Sequence, residues 1–238
     1  MLKYIQAAMV IQALEGDLTM SLNMTIGIVA GALALVEFYV YILAIYGRDW
    51  RLRRIKNPTR PNRTTWFIWG ALGLVAASSY EASGATTTVW FAWAYALGFC
   101  TVAILSIWKG EFYPHQSGWR KILSVGDGIC ILGAIGAGVL WKLVGPEAAL
   151  AATIVIDLLG AWPTARKALL RPRTESRLAW TITTFSTALN LFAINWGAAT
   201  IAIVAYPLYM LVVNGVITVV LYRWPRKTLV RLLNTRRT

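Results

Sequence analysis

Asp157 sits inside an apolar run and opens the stretch DLLGAWPTARKALLRPRTESRLAW, which ends at Trp180. Pro163 follows it, and then the cations Arg166, Lys167, Arg171 and Arg173. Glu37 holds a similar place in an earlier apolar run, eleven residues ahead of Arg48, as Asp157 stands nine ahead of Arg166. An ionised side chain at the centre of a bilayer costs about 2.5–3.5 kcal/mol on insertion scales, so such an acid faces a protein interior or a wet cavity. Two kinds of work suit it: binding a proton, a cation or a polar solute, or bonding a Ser, Thr or Trp across a helix bundle as structural glue. Both acids are expected on a solute or ion pathway.

Other residues join them. Asn190 and Asn214 lie in apolar runs, where amides bond between helices or to a solute. Pro163, with Gly160 close by, reads either as a hinge or as the end of a helix, because it lacks an N–H and crowds the carbonyl four residues back. Pro207 falls mid-run and predicts a kink. Trp66, Trp69 and Trp180 stand beside cations and read as interfacial belt, whereas Trp90, Trp93 and Trp162 face either a pocket or lipid. Glu175 reads as a carboxylate at a helix N-terminus.

Several chemistries are excluded. The only histidine is His115, and it falls in a loop between apolar runs, so neither a His-based metal cluster nor a Ser-His-Asp set is expected. No phosphate-binding glycine loop and no H-E-x-x-H appears, and the last apolar run has no lysine for a retinal Schiff base. Cys100 and Cys130 both lie in apolar runs, away from any thiolate spacing. No catalytic residue, cofactor or metal is expected.

The elements that must position these groups follow from composition. The 238 residues are 58% hydrophobic with mean hydropathy +0.58, above the roughly 45–50% apolar content of soluble domains. Apolar segments lie at about 26–46, 64–80, 85–108, 122–141, 148–165, 178–194 and 198–222, each near the length of about 17–25 residues that spans a bilayer. The second and sixth are short and lean on Thr, Ser and Trp. Net charge is +13, but the cations are not spread as a phosphate-binding face requires. Seven lie between Arg48 and Arg63, three are Lys109, Arg120 and Lys121, five lie between Arg166 and Arg177, and six between Arg223 and Arg237. They alternate with short turns (EASG, KLVGPE, NWGA) whose one cation is Lys142, the positive-inside pattern. Nucleic acid is therefore not an expected partner. The N-terminus is expected outside and the C-terminus in the cytoplasm, with a plasma membrane as the site.

Landmarks recur in order along the two outer thirds of the chain. Each has an acid, a proline-bearing basic loop (NPTRPNR, LRPRTESR), a tryptophan opening the next run (Trp66, Trp180) and a glycine turn (Gly84, Gly197). Each ends with a related string, AYAL containing Tyr95 and AYPL containing Tyr206. Two like-oriented triple-helix units need an odd helix between them, which predicts an all-α, polytopic 3+1+3 membrane protein with seven transmembrane helices. The expected units are an N-terminal extracytoplasmic segment 1–25, a first bundle 26–108, a linker helix 122–141, a second bundle 148–222 and a basic tail 223–238. Residues 1–25 read as an amphipathic outer helix, or as a leader ahead of a start at Met20 or Met24. Small residues in GAIGAGV (Gly133 to Val139) suit close helix packing or a homodimer face.

With WPTARK (Trp162 to Lys167) where a Pro-Gln dipeptide usually sits, the chain resembles the PQ-loop superfamily. That group includes SWEET sugar transporters, SemiSWEETs, lysosomal amino-acid exporters and the KDEL receptor. The chain is also similar to bacterial membrane proteins with the same PT…K…P…ES…W string. It departs from the family in having Thr164 for the Gln, no proline in its first apolar run, and no asparagine in the third run to match Asn214. The resemblance implies a carrier of a small polar solute, sugar or amino acid, passive or proton-coupled, working by alternating access. The competing expectation is a non-transporting receptor, sensor or assembly protein of KDEL-receptor-like architecture.

Overall fold

The computed structural model describes residues 2–110 and 125–223, and the regular elements among them are all helical. They are α1 (Leu2–Ile45), α2 (Arg63–Ala82), α3 (Val89–Lys109), α4 (Val125–Leu143), α5 (Pro146–Leu170), a 3-10 turn (Pro172–Thr174), α6 (Arg177–Phe192) and α7 (Ile201–Arg223). The helices follow the order of the apolar segments. His115, Arg120, Lys121 and the tail from 224 onward lie outside the described residues.

Two boundaries are informative. The chain has no proline before Pro58, and residues 2–25 run without a break into the first apolar segment. The resulting helix has 44 residues; at about 1.5 Å per residue it is about 66 Å long, against a hydrocarbon core of about 30 Å. α5 continues through Pro163 to Leu170, so that proline does not end the helix. Pro207 is likewise inside a continuous α7.

Among the described residues four stretches are long and apolar enough to cross a membrane: Glu15–Ile45, Val89–Lys109, Pro146–Leu170 and Ile201–Tyr222. α6 falls short for a visible reason. It has 16 residues and is studded with Thr181, Thr183, Thr184, Ser186, Thr187 and Asn190. Its hydroxyls mostly donate back to carbonyls three or four residues earlier, as Thr183 Oγ1 does to Ala179 (3.0 Å) and Thr184 Oγ1 to Trp180 (2.9 Å). Such local bonding lets polar side chains sit in an apolar helix.

Helix contacts follow a pattern. α3 packs on both α1 and α2, and α7 on both α5 and α6. Across these groups α1 packs on α6 and α2 on α5. Exchanging α1 with α5, α2 with α6 and α3 with α7 leaves this set of neighbours unchanged. α4 lies outside the exchange, against α5 and α2.

Close approach depends on small residues. A Cβ at Gly98 on α3 would fall 2.0 Å from the Phe38 ring of α1, and one at Gly27 would fall 1.7 Å from the Thr87 carbonyl oxygen. Behind them an aromatic core forms from Phe38, Tyr41, Trp66, Trp69, Tyr95 and Phe99, with Phe38 edge-on to Tyr95 and to Phe99 at 5.5 Å. Trp66, Trp69 and Trp180 are all buried, which corrects the expectation of an interfacial belt. Each opens a helix, but on the face that meets the neighbouring helices. Trp90, Trp93 and Trp162 are exposed on the outer surface.

The basic loops share a construction. Asn62 and Ser176 are both extended residues that cap the following helix. Asn62 Oδ1 accepts from Thr65 N at 3.1 Å, and Ser176 Oγ from Ala179 N at 3.4 Å. Each precedes an arginine and stands four residues ahead of a buried tryptophan, Trp66 or Trp180. The first loop is ordered by Asp49, which accepts from the Arg51 and Arg53 amides and from Arg53 Nε (2.8 Å). Desolvation pushes the Asp49 carboxyl up, but these Arg53 and Arg51 contacts outweigh it and hold the group below its ordinary value.

Candidate functional site

Glu37 lies where α1, α3 and α6 meet, and is 5% exposed. Its Oε2 is buried without a hydrogen-bond partner, as is the hydroxyl of Tyr95. The groups facing its carboxyl are Thr183 of α6 and Tyr95 of α3, and Ser186 adjoins Tyr95. Helix periodicity explains the α6 contribution: Thr183, Ser186, Thr187 and Asn190 are all buried, at spacings of three and four that put them on one face.

Asp157 is placed differently. It is half-buried on α5 and accepts a hydrogen bond from the Tyr209 hydroxyl of α7. Tyr206, expected with Tyr95 on the solute or ion pathway, is close enough to feel its charge, but its ring packs on Tyr80 with centroids 5.0 Å apart. Tyr80 in turn bonds Thr88 Oγ1 (2.7 Å) and donates to the Ile203 carbonyl (2.9 Å). Tyr209 lies three residues after Tyr206, and that helical spacing was the available signal. Each acid is thus faced by a tyrosine of the third helix of its own group, Glu37 by Tyr95 and Asp157 by Tyr209.

Asn190 and Asn214 are both buried. Neither amide oxygen nor nitrogen of Asn190 has a partner, and the Asn214 nitrogen lacks one. Trp69 Nε1 and Thr164 Oγ1 are also buried and unpartnered. Buried polar groups are nearly always satisfied, so these atoms are the candidates for bonding a solute or water. Gly160 sits where α5 meets α2: a Cβ there would lie 3.1 Å from Ile68 Cγ2 and 3.9 Å from Trp69 Nε1.

At the end bearing the basic loops, Lys167 and Glu175 form an ion pair at 2.8 Å, with side chains 0% and 1% exposed. Glu175 Oε2 also accepts from the Tyr41 hydroxyl of α1 (3.1 Å) and from Trp180 Nε1 (3.2 Å). Lys167 Nζ also donates to the Arg60 carbonyl of the first loop, and Arg60 N donates to the Thr174 carbonyl (3.3 Å). This network ties the first loop and α1 to α5 and α6. It corrects the reading of Glu175 as a plain N-terminal carboxylate, and Lys167 is not a solvated loop cation. The helical spacing Asp157, Gly160, Thr164, Lys167 was the signal, since it puts the lysine on the interior stripe. Above the network, shallow pockets share Ile55, Asn57, Glu175 and Arg177 in their walls.

Among the described residues no group of three or more His, Cys, Asp or Glu is arranged to hold a metal. No family model, curated protein or solved structure matches the chain.

Proposed function

We propose that the chain is a plasma-membrane carrier for a small polar solute. In this reading it has seven spans in a 3+1+3 arrangement, with the N-terminus outside, and works by alternating access between two triple-helix groups. The observation that carries it is the pair of inward-facing acids, Glu37 and Asp157, one per group. Each is set against a tyrosine, and the buried Asn190 and Asn214 amides and the Trp69 indole have polar atoms without a partner in the protein. A bundle whose polar groups served only as glue would have them bonded to one another.

The exchange symmetry of the helix contacts supports two equivalent units, and the Lys167–Glu175 network supplies a closure at one end. A carrier needs such a closure, made of contacts that can be exchanged for others as the groups rock. The PQ-loop resemblance agrees with this reading.

The test is flux. Purified protein in liposomes is offered labelled sugars and amino acids, with and without a pH gradient. Equilibration or accumulation of a solute, lowered in Asp157→Asn, supports the carrier. No flux of any solute in the panel overturns it in favour of a receptor or assembly role.

A further inference from the structure

Glu37 and Asp157 look equivalent in the sequence but differ in what the protein gives them. Asp157 has a bonded tyrosine, whereas Glu37 Oε2 has no partner. Nor is a counter-ion at hand among the described residues. The cations of α1, α3 and α6, the helices that enclose Glu37, are Lys3, Lys109 and Arg177, all at helix ends. Lys167 is held by Glu175 and the Arg60 carbonyl, and the Tyr41 hydroxyl is also directed to Glu175.

The neighbouring oxygens have a common character. Thr183 Oγ1 spends its proton on the Ala179 carbonyl (3.0 Å), and Ser186 Oγ spends its own on the Thr183 carbonyl (3.2 Å). A hydroxyl has one proton and two lone pairs, so both now present only lone pairs inward. With the carboxyl of Glu37 they make an all-oxygen surface, to which the unbonded Tyr95 hydroxyl can turn a lone pair. Aromatic rings pack behind Tyr95, with Phe38 edge-on to it and Trp66 edge-on to Phe38 at 6.3 Å. Hard oxygen donors, one of them a carboxyl that becomes negative when it ionises, suit a ligand that brings positive charge and no lone pairs.

We propose that Glu37 is the centre of a monovalent-cation site completed by Tyr95, Thr183 and Ser186. Its occupant is an alkali ion or the ammonium end of a solute. The use of this site in transport rests on the carrier reading; the binding itself does not.

The experiment reads binding directly. Purified full-length protein in detergent is titrated with NaCl, KCl and methylammonium chloride against N-methylglucamine chloride at constant ionic strength. Intrinsic tryptophan fluorescence and thermal unfolding are followed. A ligand that binds only the folded state raises the melting temperature with concentration. The expected result is a saturable response to at least one small cation, weakened about tenfold or more in Glu37→Gln and weakened in Thr183→Val, but kept in the exposed control Glu147→Gln. A response to alkali ions identifies a coupling ion, and one to methylammonium alone identifies a solute head group. Equal responses in wild type and Glu37→Gln overturn the proposal, and so does sensitivity to pH with no preference among cations. Cation binding without flux would sink the carrier and leave this site standing. Solute flux in a protein without a cation response would do the reverse.

Discussion

Lys167 of α5 meets Glu175 ahead of α6 at 2.8 Å, and neither side chain reaches solvent. Removing one partner of a buried pair leaves an uncompensated charge, which costs about 3–5 kcal/mol, whereas replacing both by neutral groups of similar volume is often tolerated. Lys167→Met and Glu175→Gln are each expected to lower thermal stability in detergent by an amount in that range. The double variant should recover a substantial part of the loss. A double variant as unstable as the sum of the singles would mean the two side chains act independently.

How much of this was readable beforehand depends on the range of the interaction. The apolar runs and the cation clusters between them gave the helices and their order, because length and hydropathy act locally. The interior stripe of α6 was also local, since Thr183, Ser186 and Asn190 follow helical spacing. The network at Glu175 was not, because Tyr41 and the Arg60 carbonyl reach it from more than a hundred residues away in the chain. The tryptophans were misassigned for a related reason. Proximity to cations in sequence fixes depth in the membrane but not the face of the helix, and Trp66 and Trp180 turn inward. The difference between Glu37 and Asp157 was invisible too, because it lies in which acid found a donor.

Glycine positions give a graded series. At Gly27 the obstacle is the Thr87 backbone carbonyl, which cannot turn away, and at Gly98 it is the Phe38 ring; at Gly136 nothing lies within 4 Å. Overpacking a tight contact costs about 1–3 kcal/mol or more. Gly27→Ala should therefore destabilise most and Gly98→Ala next, while Gly136→Ala should be neutral or slightly stabilising through helix propensity. Melting temperatures of the three variants check the order.

The Tyr209 bond to Asp157 separates two variants that a sequence comparison would group together. Tyr209→Phe strands a carboxylate, at a cost of about 1–3 kcal/mol. Asp157→Asn keeps an oxygen to accept the same hydroxyl and should cost less. Unfolding should place Tyr209→Phe below Asp157→Asn in stability, and flux should be lowered in both. Greater damage to folding from Asp157→Asn would show that the charge, and not the bond, matters there.

Orientation is open to a chemical test. In a background with Cys100→Ser and Cys130→Ser, single cysteines are placed at Asn57 in the first basic loop and at Ser83 in the turn after α2. The positive-inside rule puts the first in the cytoplasm and the second outside. A membrane-impermeant maleimide should label Ser83→Cys in intact cells and Asn57→Cys only after lysis. The opposite result would invert the chain in the membrane.

The contact between Arg60 and Thr174 allows alternating access to be tested by locking it. Their main chains are joined by the Arg60 N to Thr174 O bond at 3.3 Å, which makes this pair the place to introduce a disulfide, whose Cα atoms stand about 4.4–6.8 Å apart. Arg60→Cys with Thr174→Cys, in the same cysteine-free background, should cross-link under mild oxidation. If the two helix groups separate at this end during each cycle, the oxidised protein should lose solute flux and regain it on reduction. Each single-cysteine control should be indifferent to both treatments. A fully cross-linked protein that still carries solute would mean that this end does not open, and the pathway would have to lie elsewhere in the bundle.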